Sequence, residues 1–459
     1  MSAPRPLVVV GDTLVDRDLD GTVERLAPDA PVPVVADPVE HARPGGAGLA
    51  ALLAAADGRP VTLVTALGAD PTGADARRLL AEAGIEVVDL GTAGATAQKV
   101  RVRAEGRPLL RIDHGGTASP PRGWTAVADE AIAGGAAVLV SDYGRGMTAD
   151  AGARAALAAA ARHAPLVWDP HPRGTAPVPG ARLATPNRAE AAPDGDDLGA
   201  VAAAARRLAA AWRAAGVAVT LGSAGALYVE GDGPPLVAPA SPADGDPCGA
   251  GDRFASAAAA VLADGGLPSE AVTTAVAVAS RFVAAGGASS VGRDHPARHR
   301  LPAPAWAPGA DAVEVAAATR AAGGTVVATG GCFDLLHAGH VQVLEAARAL
   351  GDCLVVCLNS DDSVRRLKGE GRPLVPAADR AAVLRSLGCV DAVLVFDEDT
   401  PEAALDLVRP HVWAKGGDYA GVDLPEAPVV ARWGGTAVVL PYLEGRSTSR
   451  LVAEAARRA

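Results

Sequence analysis

The sequence predicts an α/β protein made of two doubly wound domains, each with a parallel sheet covered by helices on both faces. Short β-branched runs alternate with alanine-rich helical segments along the whole chain. A length of 459 residues exceeds what one core usually holds, so two or three domains are expected. A proline-rich stretch without hydrophobic periodicity, 294–308, reads as a linker between them.

Composition narrows the class of protein. Hydrophobic residues make up 49% of the chain and aromatic residues only 3%, so the cores must consist mainly of Ala, Val and Leu. No uncharged apolar run is long enough to span a membrane, and the N-terminus leads directly into a strand, so we expect a cytoplasmic protein. The net charge is −11 and no basic stripe is present, which argues against a nucleic-acid partner. The five cysteines lack metal-binding spacing, so we predict reduced thiols and assign no metal ligand.

The elements are predicted in two series, which define a domain at 1–295, a linker at 296–310 and a domain at 311–459. The clearest strands of the first domain are Leu7–Val10, Val61–Thr65, Ala137–Ser141, Leu166–Asp169 and Val217–Leu221. A helix at 310–322 opens the second domain. Its strands are Val326–Thr329, Cys353–Leu358, Ala392–Phe396, Val412–Lys415 and Ala437–Leu440. Five short parallel strands predict a small doubly wound sheet.

The second domain carries a phosphate-handling motif at residues 329–340, TGGCFDLLHAGH. Gly330 and Gly331 end a strand and allow close approach to a phosphate, and the following helix directs its amides at the anion. His337 and His340 lie one helical turn apart, so both imidazoles can face one α-phosphate under attack. A surface histidine pair beside a Gly-rich turn is the alternative; Phe333 and its neighbours favour the nucleotidyltransferase HxGH signature.

The first domain carries a second phosphate-binding motif at 246–254, DPCGAGDRF, which opens an apolar helix. Gly249, Ala250 and Gly251 would present backbone amides to a transferring γ-phosphoryl group. Asp252 would then accept the proton of the attacking hydroxyl. An acidic residue in an ordinary first helical turn is the alternative explanation.

Residues 1–295 resemble the ribokinase-like (PfkB) sugar kinases. The resemblance rests on Gly11-Asp12, on 44–47 (PGGA), on 185–190 (TPNRAE) and on the intact GAGD motif. It implies that Asp252 is the base and that the following residues contact nucleotide: Asn187, Glu190, Ser223, Gly225, Gly249, Ala250 and Gly251. It also implies that the sugar phosphate is bound by Asp12, Gly45, Gly46, Lys99 and Arg101.

Further motifs narrow the resemblance to the heptose-phosphate kinases: 11–17, 25–35 and 141–146. Residues 325–450 are similar to the adenylyltransferase partner of those kinases in bifunctional heptose enzymes. Matching segments follow the HxGH motif in order, at 358–362, 366–369, 372–373, 399–401, 415–419 and 445–449. The resemblance therefore covers nearly the whole chain, and it implies ATP as substrate of both domains, Mg²⁺, sugar-phosphate substrates and a homodimer formed through the kinase domain.

Roles in the second domain follow from the same resemblance. His337, His340 and Lys368 are assigned to catalysis. Nucleotide contacts are assigned to Gly330, Gly331, Phe333, Lys415, Ser447 and Thr448. The chain contains only three lysines, at 99, 368 and 415, and each lies in one of these motifs. A compact ammonium that arginine cannot replace is the expected reason.

The kinase half departs from the family pattern at three points. Leu49 stands where an Asn is usual after the glycine pair, Arg253 follows the base, and Arg145 replaces a Lys. Two further hypotheses therefore stay open beside the bifunctional enzyme. In one, the first domain is a non-catalytic sugar-phosphate-binding or dimerising module; in the other, the sugar phosphate differs or CTP replaces ATP.

Overall fold

The computed structural model describes residues 5–104, 107–115, 118–241, 243, 245–291, 311–416 and 424–440. The linker predicted at 296–310 lies outside these residues. Described residues within 1–192, 207–220 and 243–297 form a first compact unit. Those within 193–206, 221–242 and 298–459 form a second. None of the described helices combines the length and apolar character needed to cross a membrane.

The strands, numbered in chain order, are β1 (Leu7–Gly11), β2 (Thr13–Leu26), β3 (Pro33–Gly46), β4 (Val61–Thr65), β5 (Glu86–Asp89), β6 (Gln98–Ala104), β7 (Arg107–His114), β8 (Ala137–Ser141), β9 (Leu166–Asp169), β10 (Leu183–Ala184), β11 (Gly216–Thr220), β12 (Ala226–Glu230), β13 (Leu236–Ala238), β14 (Val326–Gly331), β15 (Cys353–Asn359), β16 (Ala392–Phe396), β17 (Val412–Gly416) and β18 (Thr436–Leu440).

The helices are α1 (Ala47–Ala56), α2 (Pro71–Glu82), α3 (Ala126–Gly134), α4 (Ala151–Ala160), α5 (Arg188–Ala191), α6 (Leu198–Trp212), α7 (Ala250–Ala263), α8 (Pro268–Ala284), α9 (Ala312–Ala321), α10 (Ala338–Arg348), α11 (Asp361–Lys368), α12 (Ala377–Arg385), α13 (Glu402–Val408) and α14 (Ala427–Ala431). All ten predicted strands are present, each within two residues of its expected ends.

The main sheet of the first unit has the strand order β5-β4-β1-β8-β9-β10-β11, and its neighbouring strands are parallel. β1 and β8 are buried along their whole length, which explains their uninterrupted apolar sequences. From β1 the chain winds towards β5 first and afterwards towards β11. The reversal falls between β1 and β8, and ligands of such sheets bind beyond the carboxyl ends of the strands at this point.

A second sheet of the first unit, β3-β2-β6-β7, was missed by the sequence analysis. β2 pairs with β3 in an antiparallel hairpin and with β6 in parallel, and β7 closes the row antiparallel to β6. Every residue of β7 is exposed, and β3 is largely exposed as well. These strands lack the continuous apolar run that revealed the main sheet, which is why they escaped notice.

The second unit contains the parallel strand order β16-β15-β14-β17-β18, a doubly wound arrangement that confirms the predicted fold. β13 adds to β18 in parallel, and β12 pairs antiparallel with β13. These last two strands come from the middle of the chain and were not predicted. The winding reverses between β14 and β17, so the ends of these two strands define the ligand-binding edge of this sheet.

Candidate active sites

The first site lies where β1 and β8 end, and the predicted base, Asp252, is on the first turn of α7. Asp252 is the third residue of α7 and is 6% exposed. Gly249 caps the helix with φ 78°, a left-handed conformation that suits glycine. The helical hydrogen-bond ladder begins with Arg253, whose amide donates to the Gly249 carbonyl at 2.9 Å. The Ala250 amide donates to the Pro247 carbonyl at 3.0 Å, whereas the amides of Gly251 and Asp252 precede the ladder, and open space faces Gly251. This is the geometry expected of an anion hole.

Tyr143 hydrogen-bonds to Asp252, and the sequence analysis did not select it. Its hydroxyl lies 2.9 Å from Oδ1 and 2.8 Å from Oδ2 of the Asp252 carboxylate. Burial raises the pKa of Asp252 to about 7, opposed by the Tyr143 hydrogen bond and the Lys99 charge and reinforced by the charge of Asp16. A carboxyl group with this pKa is suited to take a proton from a substrate hydroxyl near neutral pH.

Asp12 follows β1 and organises the loop after β8. Its carboxylate accepts hydrogen bonds from the backbone amides of Tyr143 (3.1 Å), Arg145 (3.0 Å) and Met147 (3.1 Å). Burial raises its pKa, and these three hydrogen bonds act in the opposite direction. The structure thus gives Asp12 a clear role in holding the loop that carries Tyr143.

Lys99 and Arg101 lie on β6 and reach the site from the second sheet. The Lys99 ammonium lies 5.2 Å from the centroid of the Tyr143 ring, within cation–π range. Arg101 donates to Asp16 Oδ1 at 2.8 Å and to the Cys248 Sγ at 3.4 Å. Cys248 directly precedes Gly249, so Arg101 connects this sheet to the phosphate-binding turn.

The glycine pair at the end of β3 leaves room for its neighbours. A Cβ atom on Gly45 would lie 2.6 Å from Asp16 Oδ2. Gly46 has φ 60°, and a Cβ atom there would lie 2.5 Å from the carbonyl of Asp12. Side chains at either position would displace residues of the site, which accounts for glycine at both.

Apart from the turn at residues 249–251, the residues assigned to nucleotide in the kinase half fall into two places. Asn187 and Glu190 form a reciprocal cap of α5: the Asn187 amide donates to Glu190 Oε2 at 2.8 Å, and the Glu190 amide donates to Asn187 Oδ1 at 3.0 Å. Ser223 and Gly225 belong to the second compact unit, in the turn before β12. Gly225 has φ 95° and allows this turn to approach the Ala238 carbonyl.

Leu49 and Arg253, the two departures nearest the base, both have structural partners. Leu49 is 2% exposed and packs with Leu53 and Ala288. Arg253 donates from two guanidinium nitrogens to the Asp57 carboxylate, at 2.7 and 2.8 Å. The guanidinium is thus committed to Asp57 beyond the end of α1.

The second site lies at the end of β14. A Cβ atom on Gly330 would lie 2.6 Å from the Trp413 ring, so only glycine fits beside that buried indole. A Cβ atom on Gly331 would approach Phe333 to 3.3 Å. Phe333 itself has φ 45°, an uncommon conformation for an aromatic residue, and its ring lies 5.4 Å from that of His340. The signature turn therefore brings its aromatic ring against its second histidine.

The two signature histidines are neighbours at the start of α10. His337 is the N-cap residue, its amide donates to His340 Nδ1 at 3.4 Å, and the ring centroids are 3.9 Å apart. Burial lowers the pKa of His340 to about 4, and the nearby charges of His337 and Lys368 act in the same direction. Lys368 is exposed and is the last residue of α11. The structure therefore places His337, His340 and Lys368 close enough to interact electrostatically.

A buried arginine, Arg380, braces the second site and was also missed. Its side chain is 1% exposed. It donates to the carbonyls of Cys332 (2.5 Å), Asn359 (2.9 Å) and Val375 (2.8 Å) and to Asp361 Oδ1 (2.6 Å). Arg380 therefore connects the signature turn to the end of β15 and the start of α11.

Asp334, a residue of the HxGH motif region, also stabilises the second site. It is buried, it pairs with Arg372, and it accepts backbone hydrogen bonds from Leu374 (2.7 Å) and Val375 (3.0 Å). Although burial acts to raise its pKa, the hydrogen bonds from Val375, Arg372 and Leu374 lower it. Asp334 thus holds the loop after α11 against the turn that precedes His337.

Lys415 is the penultimate residue of β17, which pairs with β14. Its ammonium lies 2.7 Å from Glu426 Oε1 and 5.6 Å from the centroid of the Trp413 ring. This position is at the switch point of the second sheet, as expected for a phosphate-binding cation. Ser447 and Thr448, also assigned to nucleotide, lie outside the described residues.

Two protein families match this chain, one over each predicted domain. Residues 5–294 match the pfkB family carbohydrate kinases, and residues 328–427 match the cytidylyltransferase-like family. Ribokinase of Arabidopsis thaliana, complexed with ribose and ATP, aligns with a TM-score of 0.50 at 21% identity over 61% of this chain and 93% of that one, which shows the ribokinase-like fold. The chain is therefore a two-domain transferase, with a carbohydrate kinase followed by a nucleotidyltransferase.

Full-length relatives identify the particular family. The bifunctional protein HldE of Streptomyces coelicolor is 57% identical over 461 residues, covering 99% of this chain and 97% of that protein. The bifunctional protein HldE of Azorhizobium caulinodans is 41% identical and covers 98% of each chain. The chain belongs to the bifunctional HldE family.

Proposed function

We propose that this enzyme catalyses two steps of ADP-heptose biosynthesis. The kinase site transfers the γ-phosphoryl group of ATP to the anomeric hydroxyl of D-glycero-D-manno-heptose 7-phosphate. The nucleotidyltransferase site joins AMP from ATP to heptose 1-phosphate and releases pyrophosphate. A separate phosphatase removes the 7-phosphate between the two steps. The observation that carries the proposal is the presence of both sites, each with its heptose-enzyme motifs, on one chain similar to HldE over its full length.

Asp252 and the turn before it supply the chemistry of the kinase step. The anomeric hydroxyl gives its proton to the Asp252 carboxylate while its oxygen bonds to the γ-phosphorus and the bond to the ADP oxygen breaks. Amides of the turn formed by Gly249, Ala250 and Gly251 stabilise the negative charge of the transferring group. The pKa of Asp252, raised to about 7 chiefly by burial, matches this acceptance of a proton.

Magnesium fits the acidic end of the kinase crevice. Burial raises the pKa of Asp169 well above its usual range, and the charges of Asp252 and Glu190 raise it further. Burial also raises the pKa of Glu190. A divalent cation arriving with ATP would relieve this repulsion, so we assign Asp169 and Glu190 to hold it, directly or through water. When bound, Mg²⁺ neutralises charge on the phosphates.

The signature histidines carry the second reaction. The phosphate oxygen of heptose 1-phosphate attacks the α-phosphorus of ATP in line, and pyrophosphate leaves. His337 and His340, at the start of α10, hydrogen-bond the charge that develops on the α-phosphate, while Lys368 and Lys415 neutralise the triphosphate. The low pKa of His340 makes it a neutral donor in the free enzyme.

The central experiment incubates the full-length enzyme with ATP, Mg²⁺ and heptose 7-phosphate. We expect heptose 1,7-bisphosphate from the wild type and none from Asp252→Asn. The variant should keep full adenylyltransferase activity with heptose 1-phosphate, which serves as a folding control. Full kinase activity in Asp252→Asn would refute the assignment, and sugar-phosphate binding by the wild type without turnover would favour a non-catalytic first domain.

The nucleotide of the second reaction needs its own comparison, because residues 328–427 match a cytidylyltransferase-like family. We propose ATP on the resemblance to the heptose adenylyltransferases. Pyrophosphate release should therefore be much faster with ATP than with CTP when heptose 1-phosphate is the acceptor. The opposite preference would make the product a CDP-sugar.

We further propose that the enzyme is a cytoplasmic homodimer. Both reactions consume ATP, which places them where ATP is produced. Leu109, Leu110 and Ile112 of β7 are 42, 57 and 39% exposed, and β7 is the last strand of its sheet. A second copy covering this apolar strand would remove it from water. Light scattering should give twice the chain mass for the wild type and the single-chain mass for Leu110→Lys.

A further inference from the structure

Contacts with Lys99, His171 and Asp12 hold Tyr143 beside Asp252. Its ring is flanked by the Lys99 ammonium at 5.2 Å and by the His171 ring at 6.1 Å, nearly parallel at 25°. Its backbone amide is bound to the Asp12 carboxylate at 3.1 Å. These contacts restrict rotation of the Tyr143 side chain. Its hydroxyl is held 2.8–2.9 Å from both carboxylate oxygens of Asp252.

The surroundings of Asp252 make this contact important. Asp16 on β2 places negative charge near the carboxylate, and Asp252 in turn raises the pKa of Asp169 at the end of β9. Lys99 on β6 opposes them, but its ammonium lies over the Tyr143 ring. The adjacent Arg253 is committed to Asp57. The Tyr143 hydroxyl contacts both carboxylate oxygens and favours the charged form of Asp252, and the Ser141 side chain acts in the same direction.

We propose that Tyr143 is a positioning residue of the kinase site, whose hydroxyl keeps the Asp252 carboxylate ionised and oriented so that a remaining lone pair faces the acceptor hydroxyl of the sugar. The proposal rests on the proposed kinase function. Tyr143 keeps its proton throughout: the substrate proton moves to Asp252, and no covalent bond forms to the phenol. A hydrogen bond to the charged form favours that form, and a fixed orientation keeps the base in reach of its target.

The test compares the pH dependence of kinase kcat/KM in the wild type and in Tyr143→Phe. Without the hydrogen bond, the pKa of Asp252 should rise, so the acid limb of the profile should move to higher pH by about one unit. At pH 7 the ionised fraction would fall from about one half to about one tenth, an approximately fivefold loss. Replacement by a fluorinated tyrosine, a stronger donor of the same shape, should move the limb to lower pH. A merely structural role for Tyr143 predicts no such opposite shifts.

Two controls separate this effect from general damage. Tyr228→Phe removes another buried phenol hydroxyl, one that donates to Glu230 at 2.7 Å, and should leave the profile unchanged. Urea denaturation of the same preparations reports on folding of the kinase unit, and their adenylyltransferase activity controls for enzyme concentration. If Tyr143→Phe does not fold, the fluorinated variant decides: a limb at lower pH supports the proposal, and an unmoved limb overturns it.

A measurement without substrate keeps this inference distinct from the proposed function. In enzyme labelled with ¹³C at the aspartate carboxyl carbons, the titration of Asp252 can be followed by NMR and assigned with Asp252→Asn. We expect its midpoint near pH 7 in the wild type and about one unit higher in Tyr143→Phe. Equal midpoints would overturn the role of Tyr143 even if the kinase reaction is confirmed; a shifted midpoint would support it even if heptose 7-phosphate is not the substrate.

Discussion

Arg253 and Asp57 form a two-point ion pair, with guanidinium-to-carboxylate distances of 2.7 and 2.8 Å. Asp57 is the C-cap residue of α1, and Arg253 lies in the first turn of α7, next to the base. The pair therefore joins two helices of the kinase unit at the turn that must hold Asp252 in place. Arg253, which departs from the family pattern in the sequence, therefore links α1 to α7 in the structure.

Breaking this pair should affect stability more than chemistry. Asp57→Asn weakens both hydrogen bonds, and because the Asp57 side chain is 44% exposed, we expect a loss of about 1 kcal/mol in the free energy of unfolding. Urea denaturation measures it. Asp264→Asn, which breaks a more exposed pair with Arg59 at the end of α7, is the matched control and should cost less. A tenfold loss of kinase kcat at unchanged stability would show that Arg253 acts on the reaction instead.

The two activities should respond differently to pH. Asp252 works as a base only when ionised, and its pKa of about 7 means that kinase kcat/KM falls as the pH falls through 7. His340, with a pKa lowered to about 4, stays neutral between pH 8 and pH 6. The ratio of kinase to adenylyltransferase kcat/KM should thus drop about tenfold over this range. Parallel profiles for the two reactions would contradict the assignment of the kinase limb to Asp252.

Leu49 should not be replaceable by the Asn that the resemblance to sugar kinases predicts at this position. It is 2% exposed and packs against Leu53 and Ala288, and its methyl group lies in the space beside Gly249. Leu49→Asn buries an amide among apolar side chains, at a cost of about 2–4 kcal/mol. Thermal unfolding should show the loss, and kinase activity should fall rather than improve. Leu49→Met, which keeps volume and polarity, should cost less than about 1.5 kcal/mol.

Arg380 should be required for the nucleotidyltransferase alone. Arg380→Lys cannot reach all four acceptors, so buried carbonyl groups and Asp361 lose their partners, at a cost of about 3 kcal/mol. Because α11 carries Lys368 and begins at Asp361, adenylyltransferase kcat/KM should fall at least tenfold. Kinase activity provides the internal control, and Arg365→Lys, on an exposed pair with Asp362, the matched one. Equal losses in both activities would point to general unfolding.

The sequence located ten strands of the main sheets because these strands are largely buried and therefore appear as apolar runs. It did not predict the four remaining described strands, β5, β10, β12 and β13. β14 to β18 were located within two residues for this reason. The sheet formed by β2, β3, β6 and β7 could not be found in this way, because its residues are polar or exposed for much of their length. Its strands are defined by pairing between segments that are far apart in the chain. A local sequence pattern does not reveal such pairing.

The same difference separates the site residues that were predicted from those that were missed. Asp252, His337 and His340 lie in compact motifs whose spacing reflects a helix N-terminus. Arg380 is one arginine among many on an ordinary helical segment, and only its burial against four acceptors distinguishes it. Tyr143 lay inside a recognised motif, but its hydrogen bond to Asp252 joins two segments more than a hundred residues apart.

Asp12 orders part of the kinase site before the substrate binds. Its three hydrogen bonds to the amides of Tyr143, Arg145 and Met147 fix that loop in the folded enzyme itself. The conformational entropy of the loop is therefore lost during folding and not again on binding. The kinase site is therefore preorganised. The binding free energy of the sugar phosphate remains available for aligning its hydroxyl with Asp252.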